Sequence, residues 1–118
     1  VIGWDFGRAA ARAVGDAMPL LRLAREVRVV TIADDKQPPE SASGAEFVAH
    51  LARNGVKAAL DEVERGRRGV GEALDAAAAD ADLMVMGAFG HSRIRDFFLG
   101  GVTRHMLRKP RLPTLLSH

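Results

Sequence analysis

The residues best placed to do chemistry are glycines in the second half of this 118-residue chain. Gly87 closes the apolar run DLMVMG, Gly90 follows it, and Gly100 and Gly101 precede a helical stretch. Glycine lets a backbone adopt positive φ and approach a ligand closely. The first turn of a helix has free N–H groups and the positive end of the helix dipole. This pattern favours a phosphate-binding loop, although turns and a helix cap would use the same glycines.

Several catalytic and phosphate-binding signatures are absent from the sequence. There is no G-x-x-x-x-G-K-[ST] motif, and the turn after the first strand contains neither G-x-G-x-x-G nor H-x-G-H. Ser92 follows His91, but Ile94 stands where a nucleophile elbow needs its second glycine. The four histidines lack metal-binding spacing. Ser92 and Arg93 are therefore interpreted as contacts to a terminal phosphate or as a solvated loop, and no catalytic residue or metal site is predicted.

Strands and helices alternate along the chain, which predicts one α/β domain over residues 1–118. The predicted strands cover 1–5, 27–33, 56–63, 82–87 and 112–117. The predicted helices cover 8–25, the segment between Ser43 and Asn54, 70–79 and 101–109. Connections of this kind give a parallel sheet with helices on both faces. Alternation alone leaves the order of the strands open.

Individual residues refine these elements. Pro19 is expected to kink or restart the first helix. Ser43 and Glu46 have the spacing of a capping box, which predicts the start of the second helix. The third strand alternates only weakly and is expected at a sheet edge. His50 and His105 are expected on helix surfaces.

Composition excludes several classes of protein. The chain has no cysteine, so it is not a disulfide scaffold and has no thiolate zinc site. Its net charge of +2 is small for a nucleic-acid-binding domain, and no apolar run is long enough to span a membrane. The basic last quarter is interpreted as a solvated face or a phosphate-attracting rim, with nucleic-acid binding as the less favoured reading. The lack of cysteine fits a cytoplasmic protein.

Three segments together resemble the universal stress protein family, and the resemblance extends over essentially the whole chain. They are the opening strand IGWDF, the segment DLMVMGAFGHSR and the ending FLGGVTRHMLRKPRLPTLLSH. Gly87, Gly90 and Gly100 have the spacing G-x2-G-x9-G of the family's ATP-binding members. The ending is also similar to domains of tandem members, and the abrupt start at Val1 agrees with one domain of a longer protein.

The resemblance implies a nucleotide site. Asp5 would bind the ribose hydroxyls with Gly3 beside it, and Ile32 would contact adenine. The residues that would flank the ribose and phosphates, or offer them amides or a hydroxyl, are Met86, Gly87, Gly90, Gly100, Gly101, Val102 and Thr103. Mg²⁺ would arrive with ATP. The alternative for Asp5 is a helix N-cap or turn acid.

One departure from the family pattern bears on affinity. The family motif places Ser or Thr directly after the third glycine, where this chain has Gly101. A hydroxyl returns only at Thr103, so one hydrogen bond to phosphate is expected to be lost.

The shared ligand also predicts the strand order. Asp5 and Gly87 can meet one nucleotide only if strands one and four are neighbours, as in order 3-2-1-4-5. The order 2-1-3-4-5 would separate them. In the first order the strand at 112–117 lies at an edge, and family members dimerise through it, within one molecule in tandem chains. The expected function is an ATP-binding sensor or regulator in stress response, not an enzyme; the alternative is a nucleotide-free dimerisation or interaction module.

Overall fold

The computed structural model describes residues 1–33, 43–89 and 101–118, and within these residues strands and helices alternate as predicted. The helices are α1 (Arg8–Leu23), α2 (Gly44–Arg53), α3 (Val70–Ala77) and α4 (Gly101–Arg108). The strands are β1 (Ile2–Gly3), β2 (Val27–Ala33), β3 (Ala58–Glu64), β4 (Met84–Gly87) and β5 (Thr114–Ser117). Most strands are shorter than predicted, whereas β2 has the predicted bounds.

The five strands form one sheet in the order β3-β2-β1-β4-β5, and every neighbouring pair is parallel. Gly3 pairs with Val30 of β2 on one side and with Met86 of β4 on the other. The order 3-2-1-4-5 is thereby confirmed, and β3 occupies an edge as expected. β1 and β4 are direct neighbours, which is the arrangement that the shared-ligand argument required.

Alternating side chains of the inner strands feed two separate cores, one on each face of the sheet. Ile2, Val29 and Val85 pack with α1 and α2 in the first core. Val30, Met84 and Met86 pack with α3 and α4 in the second. The buried apolar residues that these four helices contribute are Ala13, Val14, Ala17, Leu21, Leu51, Leu74 and Met106, and Ala78 joins them just after α3. Burial on both faces explains why β4 is a continuous apolar run.

The helix ends are set by local hydrogen bonds. Ser43 Oγ accepts a hydrogen bond from Glu46 N–H at 3.4 Å, so the predicted N-cap is confirmed. α2 ends at Asn54, and Gly55 follows in the left-handed region with φ +83°. Only glycine adopts that conformation without strain.

Pro19 does not restart α1 as the sequence pattern suggested. The helix continues from Arg8 to Leu23 with Pro19 inside it. A proline lacks the N–H that would bond four residues back, and its ring crowds that carbonyl, which here belongs to the exposed Gly15. The buried stripe on the opposite side of α1 stays packed on β4 and holds the helix in one piece.

Candidate functional site

The carboxyl ends of β1 and β4 lie side by side, where these two inner strands of the sheet finish. Gly3 pairs with Met86, and Trp4 N–H continues the ladder by donating to the Val30 carbonyl at 2.9 Å. The order reverses here, since the chain builds outward from β1 to β2 and β3 before returning to β4. In open α/β sheets, ligands bind outside the strand ends at such a point. The structure therefore brings Asp5 and Gly87 together at the carboxyl ends of these two strands.

Asp5 lies in the turn that joins β1 to α1. Its Oδ1 accepts a hydrogen bond of 2.8 Å from Gly7 N–H, so the carboxylate serves as a turn acid. Phe6, between them, has a left-handed φ of 62°. That conformation is uncommon for a bulky residue and concentrates at functional turns. Carboxylate oxygens are hydrogen-bond acceptors, the kind of group that ribose hydroxyls bind.

Gly87 is explained by packing. A Cβ at this position would lie 2.4 Å from Ala10 N and 2.7 Å from Ala9 C, both in the backbone of α1. The start of α1 therefore presses directly against the end of β4, and no side chain fits between them. Gly3 is less crowded, because an added Cβ would meet the flexible Leu74 side chain at 3.1 Å. The conspicuous Gly87 is thus needed for the fold, whatever the site binds.

The start of α4 is open at Gly101. This residue is exposed, and a Cβ built on it would meet no atom of the described residues within 4 Å. Thr103, two residues later, is only 3% exposed. Its Oγ1 accepts a hydrogen bond from Phe89 N–H at 3.4 Å, and Phe89 has a left-handed φ of 57°. The Thr103 hydroxyl therefore ties α4 to the end of β4 inside the protein.

The remaining predicted site residues divide into two groups. Ile32 is half-buried and Met86 is buried, and both belong to the core on the α3 and α4 face, which Val102 also contacts. Gly90 and Gly100 lie outside the described residues, as does the segment that holds Ser92 and Arg93.

One open groove flanks the edge strand β3, and none of the described site residues lines it. It has a volume of about 530 Å³ between β3 and α3, and Arg28 lies in it. Arg28 forms ion pairs with Asp61 and Asp80 there, so its charge is already balanced.

Residues 1–33, 43–89 and 101–118 contain no group of three or more His, Asp or Glu side chains that would hold a metal ion. In the same ranges, no helix has the length and apolar character needed to cross a bilayer.

Sequence reasoning missed a contact between α3 and α4. His105 was expected on a helix surface; its side chain is 33% exposed, and its Nε2 lies 3.0 Å from Asp75 Oδ2 on α3. His50 is exposed on α2, as expected. No spacing along the sequence links positions 75 and 105, so the only usable signal was a lone aspartate within the alanine-rich apolar stretch of α3.

Comparisons with known proteins agree with this fold. Universal stress protein UspA from Lactobacillus plantarum superposes with a TM-score of 0.75 at 13% identity, covering 99% of this chain and 94% of that one. A universal stress protein family member from Burkholderia pseudomallei gives a TM-score of 0.68 at 25% identity, covering 98% and 91%.

Sequence comparisons give the same family. The curated universal stress protein Slr1230 of Synechocystis is 53% identical over 34 residues, which are 29% of this chain and 12% of that protein. The match thus spans only a small part of that relative. The profile of the universal stress protein family matches residues 1–118. The chain belongs to the universal stress protein family.

Proposed function

We propose that this domain binds ATP or a related adenine nucleotide, together with Mg²⁺, and acts as a cytoplasmic sensor or regulator in stress response. The observation that carries the proposal is that β1 and β4 are neighbouring parallel strands. Asp5 follows the carboxyl end of β1, and Gly87 lies at the carboxyl end of β4. The resemblance of the G-x2-G-x9-G spacing to that of the ATP-binding members supplies the identity of the ligand.

The residues fit a nucleotide in the following way. Ile32, half-buried near the end of β2, offers apolar surface to adenine, and Asp5 offers carboxylate oxygens to the ribose hydroxyls. The open first turn of α4 offers the amides of Gly101 and Val102 to phosphate, where the helix dipole favours an anion. Thr103 is only 3% exposed, so the more exposed Gly101 and Val102 are the main donors. Mg²⁺ would neutralise part of the phosphate charge.

The proposal assigns no catalytic residue. The turn after β1 has no H-x-G-H signature, and Ser92 lacks the second glycine of a nucleophile elbow. Rapid turnover needs a general base held at hydrogen-bond distance from its proton, and the sequence supplies no candidate with an orienting partner in this turn. We therefore expect binding without fast hydrolysis.

The direct test asks whether the purified protein carries a nucleotide. Denatured protein is analysed by mass spectrometry for a released nucleotide, and the emptied protein is titrated with ATP and Mg²⁺ by calorimetry. Trp4 is the only tryptophan and precedes Asp5, so its fluorescence gives a second readout. The absence of released nucleotide, heat and fluorescence change at millimolar ATP would contradict the proposal.

Asp5→Asn is expected to weaken ATP binding about tenfold while leaving the affinity for inorganic phosphate nearly unchanged. The asparagine keeps an Oδ1 acceptor for Gly7 N–H, so the turn is retained, whereas the charge that strengthens bonds to the ribose hydroxyls is removed. Calorimetry with both ligands separates the two effects. Asp82→Asn, an equal charge change before β4, is the matched control. Equal losses for ATP and phosphate would contradict the ribose assignment.

The second candidate function is a nucleotide-free interaction module that pairs through the strand at 112–117. Gly101 favours it, because this chain lacks the hydroxyl that the family motif places there. β5 lies at the end of the strand order, next to β4 alone. Pairing through this strand would form a homodimer or join two domains of a tandem chain.

The directions of the backbone groups of β5 show which residues could pair with a second strand at its open side. The carbonyls of Pro113 and Ser117 accept bonds from β4, from Met84 N–H and Ala88 N–H. In a parallel ladder, the N–H and C=O of one residue point to the same neighbour, and alternate residues point to opposite sides. Leu115 therefore faces β4, whereas Thr114 and Leu116 present their N–H groups to the open edge.

Thr114→Pro is expected to convert a dimer into a monomer, since it removes an outward donor at the first position of the strand, where proline is tolerated. Light scattering gives the mass. Leu115→Pro is the matched comparison: it removes a donor to β4 and should lower stability instead. An unchanged dimer mass for a folded Thr114→Pro variant would count against pairing through this edge.

A further inference from the structure

A carboxylate buried between α3 and α4 has no part in the proposed nucleotide contacts. The Asp75 side chain is 9% exposed. Its Oδ2 lies 3.0 Å from His105 Nε2 and 3.9 Å from Arg111 Nε. Its Oδ1 is buried and has no hydrogen-bond partner among the described residues. Desolvation of this carboxylate is thus compensated mainly by His105.

The chemistry of the pair fixes the state of the imidazole. An ionised carboxylate only accepts hydrogen bonds, so Nε2 of His105 must carry the proton and donate it. Removing His105 would leave both oxygens of a buried carboxylate without a close donor, which is costly in a medium of low dielectric constant. Arg111 is largely exposed and too distant to replace the imidazole without moving.

Helix packing places this pair where it controls the start of α4. A Cβ on Gly71 would lie 2.8 Å from His105 Cβ, so α3 and α4 are in direct contact at this point. His105 follows Gly101 by four residues, which is one helical turn or about 6 Å along the axis. The hydrogen bond from His105 to Asp75 thus holds the first turn of α4 against α3.

We propose that Asp75 and His105 are a positioning pair that fixes α4 on α3 and so aims the amides at Gly101 and Val102 toward phosphate. Neither residue touches the nucleotide. The expected effect of this pair on ATP affinity rests on the proposed function. Its other effect, which is to hold α4 against α3, does not. Asp75 also lies near Arg111, so the same carboxylate faces the segment that leads into β5.

The hold on α4 is tested by amide hydrogen exchange without any ligand. Asp75→Ala and His105→Ala are expected to speed exchange at the α4 amides roughly tenfold, with no further change in the double variant. Asp75→Asn, which keeps an acceptor for Nε2–H, should restore most of the protection. His50→Ala removes an exposed histidine from α2 and should change nothing. Unchanged α4 exchange in folded Asp75→Ala or His105→Ala would overturn the proposal.

Nitrogen NMR of the imidazoles supplies a signature that a simple packing role would not produce. His105 is expected in a state protonated at Nε2 in the wild type, and in a mixture of tautomers in Asp75→Ala. The Asn variant should return it toward the Nε2–H form. A mixture of neutral tautomers in the wild type would contradict the hydrogen bond on which the pair depends. If Asp75→Ala does not fold, His105→Ala and Asp75→Asn still give the exchange comparison.

Titration with ATP and Mg²⁺ then tests positioning. Asp75→Ala and His105→Ala are expected to bind about tenfold more weakly than the wild type, with rescue by Asp75→Asn. Faster α4 exchange with unchanged ATP affinity would overturn the positioning role. A wild type that binds no adenine nucleotide would instead show that the proposed function is wrong, and the exchange data would then decide the hold on α4 alone.

Discussion

Gly87→Ala is expected to lower the free energy of unfolding by about 3 kcal/mol, the upper part of the range for overpacking substitutions. The added Cβ would lie 2.4 Å from Ala10 N and 2.7 Å from Ala9 C. These are backbone atoms of α1, so no side-chain rotation relieves the overlap. α1 must move away from β4 and loosen a buried stripe that includes Ala13 and Ala17.

Urea unfolding monitored by circular dichroism measures this loss, and the chain offers a matched control. Gly15 lies in α1, and a Cβ built on it would meet nothing within 4 Å. Gly15→Ala is therefore expected to raise stability by about 0.5–1 kcal/mol, because alanine has the higher helix propensity. If Gly87→Ala were as stable as the wild type, the close approach of α1 to β4 would not be the reason for glycine at this position.

This result affects the interpretation of site mutations. A weaker ATP affinity in a Gly87 variant would reflect a displaced α1 as well as any lost contact with the ligand. Asp5 lies in the turn that leads into α1, so displacement of the helix would also move its carboxylate. Gly101 has no such neighbour among the described residues, so a substitution there does not press on α1.

The fold was largely predictable because the sequence pattern and the chemistry of the site constrain each other. Alternating elements give a parallel sheet but leave the strand order open. The requirement that Asp5 and Gly87 meet one ligand places β1 beside β4, and the sheet has that order. β2 was predicted with its observed bounds, because β-branched residues fill it from Val27 onward.

The contacts that were missed depend on side chains distant in sequence. Asp75 and His105 are 30 positions apart and meet only because α3 and α4 pack closely at Gly71. Pro19 was expected to kink or restart α1, and the helix does not restart, because packing on β4 outweighs the local preference against proline. Periodicity describes which face of an element is apolar. It does not show which polar residues on two such elements will meet.

The sequence predicted which strand ends lie together, but not the hydrogen bonds around them. Thr103 was a candidate for a phosphate-contacting hydroxyl, and the structure places that hydroxyl on Phe89 N–H. This arrangement depends on the left-handed backbone of Phe89. A phenylalanine in the sequence gives no indication of a φ of 57°. Phe6 has the same unusual conformation in the turn after β1.

Gly101→Ser is expected to raise ATP affinity on the order of 10- to 100-fold. It restores the hydroxyl of the family motif at the first residue of α4, and a hydrogen bond to a charged group contributes roughly 1.5–3 kcal/mol. Within residues 1–33, 43–89 and 101–118, a Cβ at this position would meet nothing within 4 Å. Thr103 is only 3% exposed, so its hydroxyl is poorly placed to supply this bond.

Calorimetric titration of three proteins with ATP and Mg²⁺ tests this expectation. Gly101→Ala is the matched control, since it adds the same Cβ without the hydroxyl and should bind like the wild type. A gain confined to Gly101→Ser would assign the missing interaction to the hydroxyl. Equal gains in both variants would attribute the effect to a stiffer backbone at the start of α4. If none of the three proteins binds at millimolar ATP, the nucleotide proposal is wrong, and the interaction module that pairs through β5 takes its place.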